Sequence, residues 1–440
     1  MKRLAVVSLG CAKNLVDTEI MLGQLLGDGW EMTDDFSQAE LILVNTCGFI
    51  EKAKKESIDQ ILELAEYKTP IKGRCERLVV SGCLVQRYSS ELAAEIPEVD
   101  FWINLGEIGE IAKIIKNKRQ PQVKHTQKQP FLNELNLPRF QATLRHTAYV
   151  KIAEGCNHCC SYCAIPIIKG KFRSRSLESI VKEIHSLVQA GVKEINLIAQ
   201  DITKYGEDLT PKINLRILLE EIITRANPVW LRLLYAYPSG IDEDLLQLIN
   251  TQTSICKYID LPLQHISSRI LKLMNRPEEP KSIKEKLWLI REKVPDITLR
   301  TTFLVGFPSE TDKEFNELLE FVAAGYFNHI GVFEYSREEG TKSFNLEPQV
   351  PNSIKEKRKE LLLREQQRVS FNYLARQVEQ EKLVLVDKVL ADGSSIGRSQ
   401  YMAPEVDGVV YLNNYAGKAG QFTKAIITGN DNYNLFAKVN

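Results

Sequence analysis

Thiols dominate the residues able to do chemistry. The stretch Gly155-Cys156-Asn157-His158-Cys159-Cys160-Ser161-Tyr162-Cys163 carries them at 156, 160 and 163, a CxxxCxxC spacing inside one short loop. Three thiolates this close can grip three corners of one iron–sulfur cube, which leaves one iron without a protein ligand. A small molecule bringing its own nitrogen and oxygen can bind that open corner, so the loop is a chemical site. Cys159 adds a fourth thiol, and four thiols are also a ligand set for structural zinc. Zinc motifs, however, usually separate their CxxC halves by about a dozen residues or more, so that the pairs approach from two sides. A disulfide needs an oxidising compartment, and nothing in the sequence suggests secretion. Cys159 is therefore read as an unligated neighbour.

Three more thiols share a position relative to the strands expected around them. Residues 3–8, 41–45 and 77–81 are short apolar runs, each followed by a Gly/Cys turn and a stretch with helical period, with a fourth run at 101–105. That alternation predicts an open parallel α/β sheet with crossover helices. Cys11 follows the first run, Cys47 the second and Cys83 the third. Ligands of such sheets bind outside the carboxyl ends of the strands, so these thiols should meet at one edge. One buried cysteine is usually a small hydrophobe; three at equivalent positions point to a second three-thiolate cluster. Cys75, ahead of its strand, and Cys256, near the start of a later one, read as structural.

Residues 117–140 are polar, without a period, and read as a linker. From 141 to 351 the alternation returns, with strands expected at 148–152, 194–199, 230–235, 258–261, 298–305 and 330–333 and helices at 177–190, 242–249, 282–293 and 312–323. Such a (βα)6 unit is about three quarters of a TIM-like barrel, whose chemistry sits at the carboxyl ends of the strands. The cysteine loop lies at one such end. So do Gln200, Asp201, Tyr237, Gln264, His265 and the turn that begins at Gly306. Gln200 and Asp201 have a plain alternative as helix caps, His265 as an ordinary satisfied histidine, and Gly306 as a tight turn. Arg300, within the fifth strand, is the sharper case, because a buried guanidinium requires an anionic or carbonyl partner. A bound carboxylate would serve.

Residues 352–378 read as a charged helical connector, with Leu361, Leu362, Leu363, Val369, Phe371 and Leu374 facing a core. Residues 379–440 read as a small β-barrel, with strands at 382–390, 408–412 and 421–428. Small barrels often bind RNA through a basic face, but residues 371–440 hold seven Lys/Arg and seven Asp/Glu. Nucleic acid is therefore not favoured as a partner, and a protein fits better. The whole chain balances 57 basic against 57 acidic residues over 440, enough length for two to four domains. No apolar run approaches a membrane span and the first residues lack a signal-peptide pattern, so a cytoplasmic location without membrane partners is expected. Nine cysteines in such a chain point to metal or redox use.

The Cys156/Cys160/Cys163 loop, with Tyr162 before its last thiol, resembles the radical S-adenosylmethionine enzymes. With Cys11, Cys47 and Cys83 ahead of it and the small barrel behind, the whole chain resembles the methylthiotransferases of that class. One branch acts on tRNA adenosine and another on an aspartate of the twelfth protein of the small ribosomal subunit. Ser8-Leu9-Gly10-Cys11-Ala12-Lys13-Asn14, Cys47-Gly48-Phe49-Ile50, Gly155-Cys156-Asn157-His158, Pro262-Leu263-Gln264-His265-Ile266-Ser267 and Ala403-Pro404-Glu405-Val406-Asp407-Gly408 resemble the ribosomal-protein branch. Cys159 departs from the non-cysteine residue expected there. The resemblance implies an N-terminal methylthiotransferase domain (1–116), a radical S-adenosylmethionine barrel (141–351) and a TRAM-like tail (379–440). It also implies S-adenosylmethionine and two 4Fe-4S clusters, one on Cys156, Cys160 and Cys163 and an auxiliary one on Cys11, Cys47 and Cys83. The first supports radical formation; the second holds the sulfur that becomes the methylthio group. Tyr162, Gln200, Arg300 and Gly306 are the implied contacts of S-adenosylmethionine, with Tyr162 against the adenine and Arg300 at the methionyl carboxylate. The implied partners are the small-subunit ribosomal protein and an electron donor such as flavodoxin or ferredoxin. Two other readings stay open at this point: the tRNA enzyme, and a non-catalytic iron–sulfur regulator or scaffold.

Overall fold

A computed structural model describes residues 2–117 and 129–439. Strands β1 (Lys2–Ser8), β2 (Trp30–Met32), β3 (Leu41–Thr46), β4 (Arg77–Gly82) and β5 (Phe101–Ile103) pair in parallel in the order β2-β1-β3-β4-β5. β3 is buried along its whole length, as a strand covered on both faces must be. Helices α1 (Ala12–Gly27), α2 (Glu51–Ala65) and α3 (Cys83–Glu95) make the crossovers, and α1 buries Ile20, Met21, Leu22 and Leu25. Cys11 is the N-cap of α1, Cys47 directly follows β3, and Cys83 opens α3 directly after β4. All three therefore lie at the carboxyl edge of the sheet.

The second sheet runs from β6 (Thr147–Lys151), and the cysteine loop then leaves through a two-residue antiparallel bracket of β7 (Ala153–Glu154) and β8 (Arg173–Ser174). It continues through β9 (Glu194–Ile198), β10 (Trp230–Leu233), β11 (Ile255–Asp260), β12 (Thr298–Val305) and β13 (His329–Glu334), all parallel and in chain order. This is the six-strand partial barrel expected. Val150, Ile195, Leu197, Leu231, Leu233 and Ile259 pack on the helices outside. The alternate residues, Lys151, Glu194, Asn196, Arg232 and Tyr258, are just as buried and so make a polar interior. Among the described residues, no helix is long and apolar enough to cross a membrane.

Helix Asn352–Ala375 leads to a closed barrel of β14 (Glu381–Val389), β15 (Ser395–Ser399), β16 (Val410–Leu412), β17 (Phe422–Asn430) and β18 (Leu435–Lys438), in the order β14-β15-β16-β18-β17. Several details correct the sequence reading. β2, β15 and β18 were not expected; each is five residues or fewer, too short to show a period. β11 begins at Ile255, which places Cys256 inside a strand, fully buried. Phe371 is 43% exposed, because Leu362, Val369 and Leu374 already fill the helix's core face. Within the expected linker, residues 118–128 lie outside the described residues. The part from 129 onwards is anchored: Arg139 Nε donates to Glu19 on α1 at 2.7 Å and Nη1 to Glu183 on the barrel's outer helix at 2.8 Å.

The tail seats against the amino-terminal halves of the barrel strands, at the end away from the cysteine loop. Fully buried Glu194 receives Arg398 Nη1 at 2.7 Å and Arg232 Nη2 at 2.9 Å, while Arg232 Nη1 donates to the Gln400 carbonyl at 2.8 Å. Trp230 meets Phe422 edge to face at 4.8 Å. Glu194→Ala strands the buried Arg232 guanidinium and leaves Arg398 with Asp387 as its remaining carboxylate. It is expected to cost about 3–5 kcal/mol of unfolding free energy in a denaturant titration, the usual penalty for breaking a buried pair from one side. Burial alone would raise the Glu194 carboxyl, but Arg398 and Arg232 hold it below its ordinary 4.5. A lowered folded-state value means that this stabilisation is complete above that pH and is lost as the pH falls below it.

Candidate functional site

The loop that carries Cys156, Cys160 and Cys163 is fastened from both sides. Cys156 N–H donates to the Gly170 carbonyl at 3.1 Å and Phe172 N–H to Asn157 Oδ1 at 3.0 Å. Across the loop, Ser161 N–H donates to the Met274 carbonyl at 2.9 Å and its hydroxyl to the Leu273 carbonyl at 2.7 Å. Gly155 enters the loop at φ 79°, and a Cβ there would run into the Lys171 carbonyl. Gly155→Ala combines that clash with a left-handed backbone, so it is expected to cost about 1–3 kcal/mol and to depress iron uptake. Thermal melting and iron analysis of the reconstituted protein check both.

The electrostatics of the trio fit a cationic guest. Burial pushes the Cys156 thiol up to about 11, with Cys160 and Cys159 adding to the rise and the His158 N–H opposing it. Burial likewise pushes Cys163 up to about 12, with Cys160 and Cys156 adding. Burial first, and neighbouring thiols second, disfavour the thiolates, and an iron–sulfur core would offset both, because metal binding drives thiols to thiolates. The His158 N–H, 3.4 Å from Cys156 Sγ, is a ready donor to a thiolate. Cys159 is exposed and lies 3.7 Å from the Asn157 carbonyl.

The implied cofactor contacts fare differently. Tyr162 packs beside Ile270, Met274 and Phe307 at the loop's flank. Gln200 donates to Glu154 Oε1 at 3.1 Å, and its own Oε1 is buried with no protein partner, the kind of orphaned acceptor a bound amino group satisfies. Arg300 has anionic partners already: its Nε is 3.9 Å from Asp260 Oδ1 and its Nη1 is 3.8 Å from Asp407 Oδ1. Asp407 comes from the tail, so reading the barrel strand alone left that guanidinium free for a cofactor carboxylate. Gly306 is likewise explained within the protein, since a Cβ there would collide with the Lys355 side chain. His265 is a satisfied core histidine, its Nδ1 accepting from Ser267 N–H at 3.0 Å. Asp201 both caps Thr203 and meets His158 Nε2 at 2.7 Å. The His158 ring stacks on Tyr237 at 3.9 Å, and the Arg276 guanidinium also lies over the Tyr237 ring, 4.5 Å from its centroid. Arg276 was not singled out by the sequence; the Asn-Arg-Pro run after its helix gave no signal beyond a helix stop.

Cys11, Cys47 and Cys83 converge. A Cβ on Gly10 would lie 3.1 Å from Cys47 Cβ, and one on Gly48 would lie 2.8 Å from the Cys83 carbonyl carbon. Only glycine permits the second approach. Asn14 ties the three turns together, donating to the carbonyls of Leu9 at 3.1 Å and Thr46 at 3.0 Å, while the Cys83 thiol donates to its Oδ1 at 3.5 Å. Burial pushes Cys83 up to about 12, opposed by Lys169 and reinforced by Cys11 and Cys47. Among the described residues, no three His, Cys, Asp or Glu side chains are gathered closely enough for a single metal ion. A cube places its thiolates on separate corner irons, which asks for a wider spread than one ion does.

Between the trios lies a buried charge network that the sequence did not announce. Lys151 Nζ meets Asp17 at 2.5 Å and Glu154 at 2.7 Å, and Lys169 Nζ stands 3.5 Å from each of the same two carboxylates. Burial would raise Glu154, yet Lys151 and Lys169 hold it down to about 2. Burial would lower Lys169, but Glu154, Cys83, Asp17 and Cys11 drive it up. One lysine thus senses both the β7 carboxylate beside the 156/160/163 loop and the thiols at the edge of the first sheet.

Residues 3–104 match the model of Uncharacterized protein family UPF0004, residues 150–322 that of the Radical SAM superfamily, and residues 380–439 that of the TRAM domain. The chain is 46% identical over 442 residues to "Ribosomal protein uS12 methylthiotransferase RimO" of Geotalea uraniireducens, covering 100% of this chain and 98% of that one. The protein of the same name from Geobacter sulfurreducens is also 46% identical, with the same coverage. Among solved structures, the radical S-adenosylmethionine methyltransferase TsrM of Kitasatospora setae, with cobalamin and a 4Fe-4S cluster bound, aligns with a TM-score of 0.54 at 18% identity, covering 78% of this chain and 77% of that one. That likeness is one of fold.

Proposed function

The chain belongs to the RimO family of ribosomal protein uS12 methylthiotransferases, and we propose that it places a methylthio group on the β-carbon of an aspartate of that protein. It is a radical S-adenosylmethionine transferase, and the family carries a 4Fe-4S cluster with S-adenosylmethionine. Cys156, Cys160 and Cys163 are our ligands for that cluster. When bound and reduced, the cluster with S-adenosylmethionine supplies a carbon-centred radical able to take hydrogen from an unactivated carbon. Gln200, with its orphaned Oε1, and Glu154 beside it receive the cofactor's amino end, and Tyr162 lies against its adenine. Arg300 and Gly306 drop out of the cofactor site, for the reasons their protein contacts give. His158, stacked on Tyr237 and held by Asp201, keeps the loop's open side dry and rigid, which a radical requires.

Cys11, Cys47 and Cys83 hold the auxiliary cluster, whose role is to carry the sulfur destined for the substrate. The observation that carries this reading is the convergence of two separate cysteine trios on one buried charge network; a sensor needs one cluster and no second thiol edge. A small electron-transfer protein such as flavodoxin or ferredoxin delivers the electron. The evenly charged tail, whose Arg398 and Asp407 are spent on the seam with the barrel, does not favour a tRNA substrate.

Anaerobic reconstitution, iron and sulfide counting, and mass analysis of the purified ribosomal protein after incubation test this directly. Two clusters and a gain of one methylthio group per substrate are expected. Modification of tRNA instead, with steeply salt-dependent RNA binding, would move the assignment to the adenosine branch. Absence of 5′-deoxyadenosine from the reduced protein would leave only the scaffold reading.

A further inference from the structure

Among the described residues, buried Lys13 has no carboxylate partner. It stands two residues after Cys11 in α1, with 8% of its surface exposed. Its ammonium reaches across to the barrel, 3.3 Å from the Ala199 carbonyl and 3.2 Å above the ring of Tyr235. Ala199 directly follows β9 and Tyr235 lies two residues beyond β10, so the cation sits at the carboxyl ends of the barrel strands, where barrel chemistry is done.

Every comparable buried cation nearby is paired: Lys151 and Lys169 with Asp17 and Glu154, Arg232 and Arg398 with Glu194. Among the described residues, no carboxylate lies within ion-pair distance of Lys13. Asp260, whose carboxyl feels the charge of Lys13 without pairing with it, accepts from Tyr235 N–H at 3.2 Å and faces Arg300. An ammonium has three donors, and its partners, the Ala199 carbonyl and the Tyr235 side chain, are both neutral, so its charge goes unpaired. Burying it so is costly unless an anion arrives. Tyr235 is held at φ 66°, a left-handed backbone that a bulky residue adopts only when the surroundings impose it. That conformation keeps the ring under the ammonium.

We propose that Lys13 grips the side-chain carboxylate of the target aspartate. This rests on the aspartate reading above and adds how the residue is chosen. The carboxyl carbon of aspartate is bonded directly to its β-carbon, so holding the carboxylate fixes the reacting carbon to within one bond. The turn that offers Lys13 also offers Cys11, which sets the held carbon beside the edge that carries sulfur. A neutral adenine offers such a cation hydrogen-bond acceptors but no opposite charge, so Lys13 also favours a carboxylate-bearing substrate.

The test compares binding of the ribosomal protein and its aspartate-to-asparagine variant at the target position to reconstituted wild type, Lys13→Met and Lys13→Arg, with S-adenosylmethionine present. Wild type is expected to prefer the aspartate by about tenfold or more, the range of a charge-assisted hydrogen bond. Lys13→Met should bind both forms alike, with iron content and cluster absorption unchanged, and Lys13→Arg should keep part of the preference. A Lys13→Met protein that still prefers the aspartate, or a wild type with no preference, overturns the proposal. So does loss of iron from Lys13→Met with the preference intact, which would make the lysine a neighbour of the cluster alone. If wild type binds and modifies neither protein, the substrate reading itself fails, an outcome distinct from the others.

Discussion

Cys160→Ala is expected to take 5′-deoxyadenosine formation by the reduced, reconstituted protein to background and to remove about half its iron. The loss should exceed the roughly 10–100-fold that changes around a metal site cost, because a ligand itself is gone. The fold should survive, since the contacts that fasten the loop are made by other groups: Ser161 to Met274 and Leu273, Cys156 N–H to Gly170, and the Cys160 carbonyl, which the substitution keeps, to Cys163 N–H. Melting close to wild type would confirm that the defect is chemical. The informative control is Cys159→Ala, one residue away. Its side chain is exposed and makes only a long contact with the Asn157 carbonyl, so iron content and turnover should stay within about twofold of wild type, the scale expected of a surface change. Equal losses from the two substitutions would refute a three-thiol site and return the four-thiol zinc arrangement to consideration.

What the sequence disclosed and what it hid divide along a physical line. Periodicity and local turn chemistry are written in neighbouring residues, so β1, β3 and β4 with a cysteine after each were readable, as was the six-strand barrel with its loop after β6. Contacts between distant segments leave no such trace. The Lys151–Asp17 pair joins positions 134 apart in sequence, and nothing near either residue marks it. Arg300 was correctly read as a guanidinium in need of an anion, but that anion, Asp407, arrives from a tail whose docking face no local pattern records. Lys13 belonged to a motif read for its cysteine; only the folded chain lays its ammonium over Tyr235. The missed strands β15 and β18 are held by pairing within the closed tail barrel, where neighbours decide the conformation more than propensity does.

The complementary substitution separates the two trios. Cys11→Ala, Cys47→Ala and Cys83→Ala combined in one protein should leave 5′-deoxyadenosine formation within a few-fold of wild type while the methylthiolated product falls to background. The triple change removes only thiols. Asn14 still bonds the Leu9 and Thr46 carbonyls, Ser57 still bonds the Cys47 backbone from both sides at 3.0 Å, and the approach of Gly48 to the residue at 83 is set by backbone. Cys83 is the one buried member, and trimming its sulfur in place is a small change of volume, worth about 1 kcal/mol or less. The network of Lys169, Lys151, Asp17 and Glu154 also remains, so the 156/160/163 loop keeps its support. Half the iron should go, and it should be the half that Cys160→Ala retains. Radical formation without product is the signature of a missing sulfur carrier. A triple variant that still methylthiolates the ribosomal protein at the wild-type rate would remove these cysteines from the reaction. One that loses radical formation with its remaining iron in place would mean that the first sheet's edge helps to build the S-adenosylmethionine site itself.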